Sequence, residues 1–145
     1  GLVYYIDVAS VTYQYFGYVY ISTQEVVEKV TKVISLIVKE LSKFLSKGPT
    51  EKEINFAKNY RVNNVLMQFD HPSNIANWIE DDLLWQDKVY TPEEYVKLIN
   101  KVTKKDIMNF MQKYWDFSKL NLVIQGKMEN SKANIKKFEK ILEVL

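Results

Sequence analysis

The sequence predicts an α+β fold in which helices pack on one face of a mainly antiparallel sheet. Residues 1–23 contain two runs rich in β-branched and aromatic residues, which is a strand composition. Most of the chain that follows places apolar residues at helical spacing, and residues 120–125 return to a strand composition before a last amphipathic stretch. The length of 145 residues fits one domain with a real core.

The first two strands form a predicted hairpin. Residues 2–9 make the first strand, Ser10–Gln14 the turn, and Tyr15–Ser22 the second strand. Gly17 lies within the second strand, where a glycine indicates a bulge or a close approach of the backbone. A small residue that makes room for a facing side chain is an equally good interpretation.

A long helix follows the hairpin. Apolar residues recur at intervals of three and four between Val26 and Leu45, which predicts one broad apolar stripe. Ser22 and Glu25 have the spacing of a capping box and predict its start. Gly48-Pro49 predicts its end, because glycine accepts the left-handed conformation and proline cannot continue a helix.

The later helices have their own start signals. A threonine followed three residues later by an acidic residue predicts an N-terminal capping box. The chain has three such starts: Thr50-x-x-Glu53, Thr91-Pro92-Glu93-Glu94 and Thr103-x-x-Asp106. In the second of them, proline takes the first helical position, where its missing N–H is not needed.

The remaining elements follow from proline and from periodicity. Asp70-His71-Pro72 predicts a helix break, with a new helix over Ser73–Trp85. Leu120–Gln125 is predicted as a third strand that ends at Gly126. A terminal amphipathic helix is predicted between Ile135 and Leu145.

Charge and composition exclude several classes of function. Twenty basic and 18 acidic residues leave a net charge of +2, too balanced to predict nucleic acid or an anionic membrane as partner. With one arginine, Arg61, the chain is poorly equipped for an anion clamp. The absence of cysteine excludes disulfides and thiolate chemistry. Together with the absence of an apolar run long enough for a membrane span and of a basic leader, it favours an intracellular location.

Candidate polar sites are few. His71 is the single histidine, so a zinc site within this chain is improbable, and we interpret His71 as a polar residue at a helix break. Glu80-Asp81-Asp82 with Asp87 forms an acidic cluster that no calcium-loop pattern surrounds, which favours a solvated helix face. No nucleophile motif, phosphate loop or dinucleotide fingerprint is present.

Tyrosines are concentrated in the hairpin. Most are expected to be structural, because aromatic residues favour strands. A phenol that points into a cleft can also donate a hydrogen bond to a developing oxyanion. Composition alone does not choose among them: Tyr4, Tyr5, Tyr13, Tyr15, Tyr18 and Tyr20.

Several motifs, in order, resemble those of the insulinase/pitrilysin/mitochondrial processing peptidase family. The resemblance is to the second, C-terminal-type domain of one half of such a peptidase, and it covers nearly the whole chain. The segments that carry it are GLVYYIDV from Gly1, GYVYIST from Gly17, GPTEKE from Gly48, YTPEEY from Tyr90, VTKKDI from Val102 and LVIQG from Leu122.

The resemblance implies part of a zinc metalloendopeptidase, a hydrolase whose two halves close around a peptide substrate. The zinc motif, an inverted His-x-x-Glu-His helix, belongs to the other half and is absent here, so this chain is not expected to cleave peptides alone. Zinc is expected in a partner half or partner subunit. Tyr4 matches the family tyrosine that contacts the substrate carbonyl in the transition state, and the arginine paired with it would lie upstream of Gly1.

The resemblance also implies that residues 1–145 are a single partial domain, incomplete at its N-terminus. Two alternatives to the peptidase role stay open. One is an inactive scaffold or peptide-binding subunit related to the family, like the core proteins of respiratory complexes. The other is an unrelated α+β interaction module with Tyr13–Tyr20 as an exposed aromatic patch. A small sheet with open edges additionally predicts self-association.

Overall fold

A computed structural model describes residues 1–86, 88–129 and 131–145. The described residues form two antiparallel strands and six α-helices, which confirms the predicted α+β class. The strands are β1 (Tyr5–Thr12) and β2 (Gly17–Gln24). The helices are α1 (Val30–Lys47), α2 (Glu51–Gln68), α3 (Pro72–Trp85), α4 (Pro92–Lys101), α5 (Lys104–Tyr114) and α6 (Lys132–Leu142).

The chain divides into two compact units. The first contains Gly1–Ser46 and Asp116–Leu145, and so holds the hairpin, nearly all of α1, and α6. The second is Lys47–Trp115 and holds α2 to α5. That residues 1–145 belong to a single domain stays a prediction.

The hairpin exists, but its first strand lies three residues and its second strand two residues further along the chain than predicted. Thr12 pairs with Gly17 at its tip, and the turn is Tyr13–Phe16, closed by a 2.8 Å hydrogen bond from the Tyr13 N–H to the Phe16 carbonyl. The two rings stack at 4.6 Å. This aromatic contact lies within the turn, so the predicted polar turn at Ser10–Gln14 is wrong.

Gly17 makes the close approach that its position indicated. A Cβ there would lie 2.9 Å from the carbonyl oxygen of Val11 on the facing strand. A larger residue would therefore push the two strands apart just beside the turn.

The core of the first unit lies between helices. Val30, Ile34 and Val38 of α1 pack with Phe138 of α6, and all four side chains are buried. The apolar side chains of the hairpin are instead largely exposed, with Val8 at 62% and Val19 at 47%. The helix-on-helix contact supplies the buried surface that we had expected between helices and sheet.

The predicted third strand is absent. Residues 120–125 are extended at Leu120 (φ −64°, ψ 133°) but join no sheet among the described residues. Val123 is 87% exposed. Strand composition indicates an extended backbone, but a strand also needs a partner for its N–H and C=O groups, and composition does not supply one.

Helix α1 begins later than predicted and ends as predicted. A single 3-10 turn, Val27–Lys29, precedes it, and Ser22 lies within β2, so the predicted capping box at Ser22 is wrong. At the other end Gly48 has φ +66°, the left-handed conformation that terminates helices. A Cβ at Gly48 would also lie 2.6 Å from the Met108 sulfur.

All three threonine capping boxes are formed. The side chains of Thr50, Thr91 and Thr103 accept hydrogen bonds from the backbone N–H three residues on, and the acidic residue there returns the bond. Each box satisfies two helix N-terminal donors, which fixes where α2, α4 and α5 begin.

In the second unit, Val65 of α2 is completely buried.

Candidate functional site

Tyr4 lies one residue before β1, at the open end of the hairpin. Its backbone N–H donates a 2.8 Å hydrogen bond to the carbonyl of Gln24, the last residue of β2. This bond continues the β1–β2 ladder by one step, so the backbone that carries Tyr4 is held by the strand pair.

A second contact holds the segment before Tyr4. The Lys29 ammonium donates a 3.1 Å hydrogen bond to the carbonyl of Gly1. Residues 1–4, Val26 and Lys29 line a depression of about 280 Å³. Tyr4 and the Lys29 ammonium therefore both border this small concave surface.

The Tyr4 side chain itself faces solvent. It is 74% exposed, and its hydroxyl has no hydrogen-bond partner among the described residues. A phenol O–H can donate one hydrogen bond and accept others. The arrangement leaves that donor available to an external carbonyl oxygen.

The other hairpin tyrosines are exposed as well. Tyr5, Tyr13, Tyr18 and Tyr20 are between 40% and 50% exposed, and Tyr15 reaches 89%. With Phe16 at 63% they form an aromatic surface on the hairpin. Exposure alone therefore does not separate Tyr4 from its neighbours, whereas its place beside the depression does.

His71 caps a helix. Its Nδ1 accepts a 3.3 Å hydrogen bond from the Ser73 N–H and lies 2.7 Å from the Ser73 hydroxyl. Pro72 takes the first position of α3. The interpretation of His71 as a polar residue at a helix break is confirmed.

The acidic cluster contains one residue with a structural task. Glu80 and Asp81 are exposed, as expected for a solvated face, and Asp87 lies outside the described residues. The prediction of a solvated face is wrong for Asp82, which is 6% exposed and whose carboxylate accepts a 2.7 Å hydrogen bond from the Tyr90 N–H. The Trp78 indole donates a 3.0 Å bond to the Tyr90 carbonyl, so α3 holds both backbone groups of Tyr90.

The described residues contain no cluster of side chains that could hold a metal ion. Across residues 1–86, 88–129 and 131–145, no three histidine or acidic side chains come together in a way that could hold a metal. The single histidine is used as a helix cap.

The perturbed carboxylates are helix caps. Lys88 forms a 2.7 Å ion pair with Glu94, and this hydrogen bond, followed by that from the Thr91 N–H, lowers the pKa of Glu94. The same bond raises the pKa of Lys88. The Thr103 hydroxyl lowers the pKa of Asp106 in the same way. The Lys88–Glu94 ion pair explains the first two shifts and the capping bond explains the third, so none of them marks a catalytic acid or base.

Sequence reasoning missed the residues whose role depends on distant partners. The contact of Lys29 with Gly1 spans 28 positions, and that of Asp82 with Tyr90 spans eight across a helix end. Neither has a local motif.

None of the described helices is both long and apolar enough to cross a membrane.

The sequence matches no protein-family model and no curated protein. The resemblance to the insulinase-type peptidases therefore rests on the order of the chain's own motifs.

Proposed function

We propose that this chain is the non-zinc-binding domain of an insulinase-like zinc metalloendopeptidase. In this role it forms part of the wall of the substrate chamber, and Tyr4 contributes a hydrogen bond near the scissile carbonyl. The observation that carries the proposal is the phenol of Tyr4, which is 74% exposed, has no partner in the described part of the chain, and stands on backbone fixed by the hairpin. The order of the family motifs supports it.

The chemistry requires a donor that acts on developing charge. During peptide hydrolysis the carbonyl oxygen becomes an oxyanion, and a hydrogen bond that strengthens with that charge lowers the barrier. The Tyr4 hydroxyl can provide this donor because no other described residue uses it. Zinc, when bound by the partner half, would supply the metal chemistry; this chain supplies orientation and one donor.

The test is peptide hydrolysis by the full-length parent protein with zinc, comparing wild type with Tyr4→Phe. The variant keeps the ring and loses the hydroxyl. We expect kcat to fall by about 10²-fold, the loss typical of one oxyanion donor, with an unchanged circular dichroism spectrum. An equal loss in kcat and kcat/KM identifies an interaction made only in the transition state.

Tyr5→Phe is the matched control. Tyr5 is the next residue, is 49% exposed and lies within β1, so the chemical change is identical and the position differs by one residue. We expect its activity to equal that of wild type. An active parent that is indifferent to Tyr4→Phe would remove Tyr4 from the site, and a parent with no activity would favour the inactive scaffold or peptide-binding subunit.

A second candidate is an interaction module that docks through the hairpin. The observation that favours it is the aromatic surface, where Tyr15 is 89% and Phe16 63% exposed. Exposed aromatic clusters commonly mark protein-binding surfaces. On this reading Tyr4→Phe has no catalytic consequence, and the hairpin mediates association with another chain.

A further inference from the structure

A groove runs between α1 and α6, within the first compact unit. Its volume is about 600 Å³, and residues of both helices line it. It shares no lining residue with the depression beside Tyr4.

The floor of the groove is mainly apolar, although the hydroxyl residues Thr31, Ser35 and Ser42 of α1 also line the groove. Val38 of α1 is buried, Ile141 of α6 is half-buried, and Val144 is 62% exposed beyond the end of α6. Beneath it the two helices meet through Val30, Ile34, Val38 and Phe138. The floor is therefore backed by a packed core, and it offers apolar surface without needing to be opened.

The rim of the groove is basic. Lys39 lies on α1, and Lys137 and Lys140 lie three residues apart on one face of α6. No acidic side chain of the described residues comes within ion-pair distance of these three ammonium groups. Three like charges around an apolar floor repel one another, and carboxylates of an occupant would relieve that repulsion.

We propose that this groove binds an acidic amphipathic helix of a partner protein, with apolar side chains on the floor and carboxylates against Lys39, Lys137 and Lys140. Helices commonly bind grooves through one apolar face. The rim lysines come from both helices, so they match an occupant that carries several carboxylates along its length. A lipid with one headgroup does not carry them in this arrangement. The proposal does not depend on the peptidase role, because its site is separate from Tyr4.

The probe is a fluorescein-labelled peptide of about 14 residues, roughly four helical turns, with leucine at i, i+3, i+4, i+7 and i+11 and glutamate elsewhere. Binding to the 145-residue chain is followed by fluorescence anisotropy. We expect saturable binding that weakens as salt is raised, because salt screens the ion pairs. A peptide of identical composition with its leucines scattered around the helix should not bind.

Charge reversal at the rim should weaken binding at least about tenfold, since like charges then face the peptide. The variant is the double substitution Lys137→Glu and Lys140→Glu. Its matched control is Lys132→Glu with Lys136→Glu, which makes the same change of net charge on exposed positions of α6 outside the groove lining. A neutral variant, Val144→Ser, tests the floor and should weaken binding several-fold without disturbing the core.

Four results with the peptide and the variants would overturn the proposal, and a fifth concerns vesicles. They are no saturable binding by wild type, equal binding of the scattered peptide, equal loss in the two charge-reversed pairs, and no effect of Val144→Ser. Binding of phosphatidylserine vesicles through Lys137 and Lys140 without peptide binding would also overturn it and would assign the groove to a membrane surface. Circular dichroism of each variant shows whether the helices are intact, so a folding defect cannot be mistaken for lost binding.

Discussion

Asp82 is predicted to stabilise the second unit, although the sequence places it in an acidic cluster that was expected to be exposed to solvent. Asp82 is 6% exposed, and its carboxylate accepts a 2.7 Å hydrogen bond from the backbone N–H of Tyr90, a half-buried residue. The change Asp82→Ala removes the acceptor and leaves that donor without a partner. The segment that leads into the capping box of α4 would then lose one of its two hydrogen bonds to α3.

The magnitude follows from the charge of the acceptor and from the burial. A hydrogen bond to a charged group contributes about 1.5–3 kcal/mol, and an unsatisfied buried donor costs about 1–3 kcal/mol. The higher helix propensity of alanine offsets about a few tenths of a kcal/mol of this loss of stability. We expect Asp82→Ala to lower the free energy of unfolding by about 2 kcal/mol, or Tm by roughly 4–8 °C for a chain of this size. Asp82→Asn keeps an uncharged acceptor and should lose about half as much.

The assay is urea unfolding followed by tryptophan fluorescence. Trp78 is a suitable reporter because its indole bonds to the Tyr90 carbonyl and its ring packs 4.9 Å from that of Tyr95. Asp81→Ala is the matched control, since Asp81 is the exposed neighbour on the same helix and undergoes the same change of charge and propensity. Equal stability of Asp82→Ala and Asp81→Ala would refute the reasoning.

Two further predictions concern the hairpin and acid stability. If the open sheet edges mediate self-association, Val8→Lys should lower the apparent mass at raised concentration, because an edge lysine blocks strand addition. The control Phe56→Lys, at an exposed position of α2, should leave the apparent mass unchanged. A wild-type chain that sediments as a monomer at every concentration would contradict this prediction. The lowered pKa values of Glu94 and Asp106 mean that their contribution is complete above the unfolded carboxylate pKa of about 4 and is lost as pH falls through the folded values. Stability should therefore decline from about pH 5 downward, and Glu94→Gln should reduce that slope, because it removes the ion pair with Lys88 as well as the capping carboxylate; an unchanged slope would count against this explanation.

The local signals in the sequence predicted the helix boundaries well, for a physical reason. A capping box needs only a threonine and an acidic residue three positions later, so Thr50, Thr91 and Thr103 each indicate a helix start from neighbouring residues alone. The glycine at position 48 likewise predicted the left-handed conformation that ends α1, and its φ is +66°. The same pattern failed at Ser22, where pairing with Asp7 on the facing strand holds the residue in β2.

Features that depend on distant partners were beyond the sequence. Leu120–Gln125 has the composition of a strand, but whether it becomes one depends on pairing with another strand, and among the described residues it pairs with neither β1 nor β2. Asp82 differs from Asp81 only because the chain returns at Tyr90 to place an N–H against it. The groove lysines are similar: Lys137 and Lys140 predict a basic helix face by their spacing, and only the packing of α6 against α1 adds Lys39 and an apolar floor between them. A charged residue thus acquires a particular role from what the fold places opposite it, and this is why variants matched in chemistry but not in surroundings are the informative comparison for this protein.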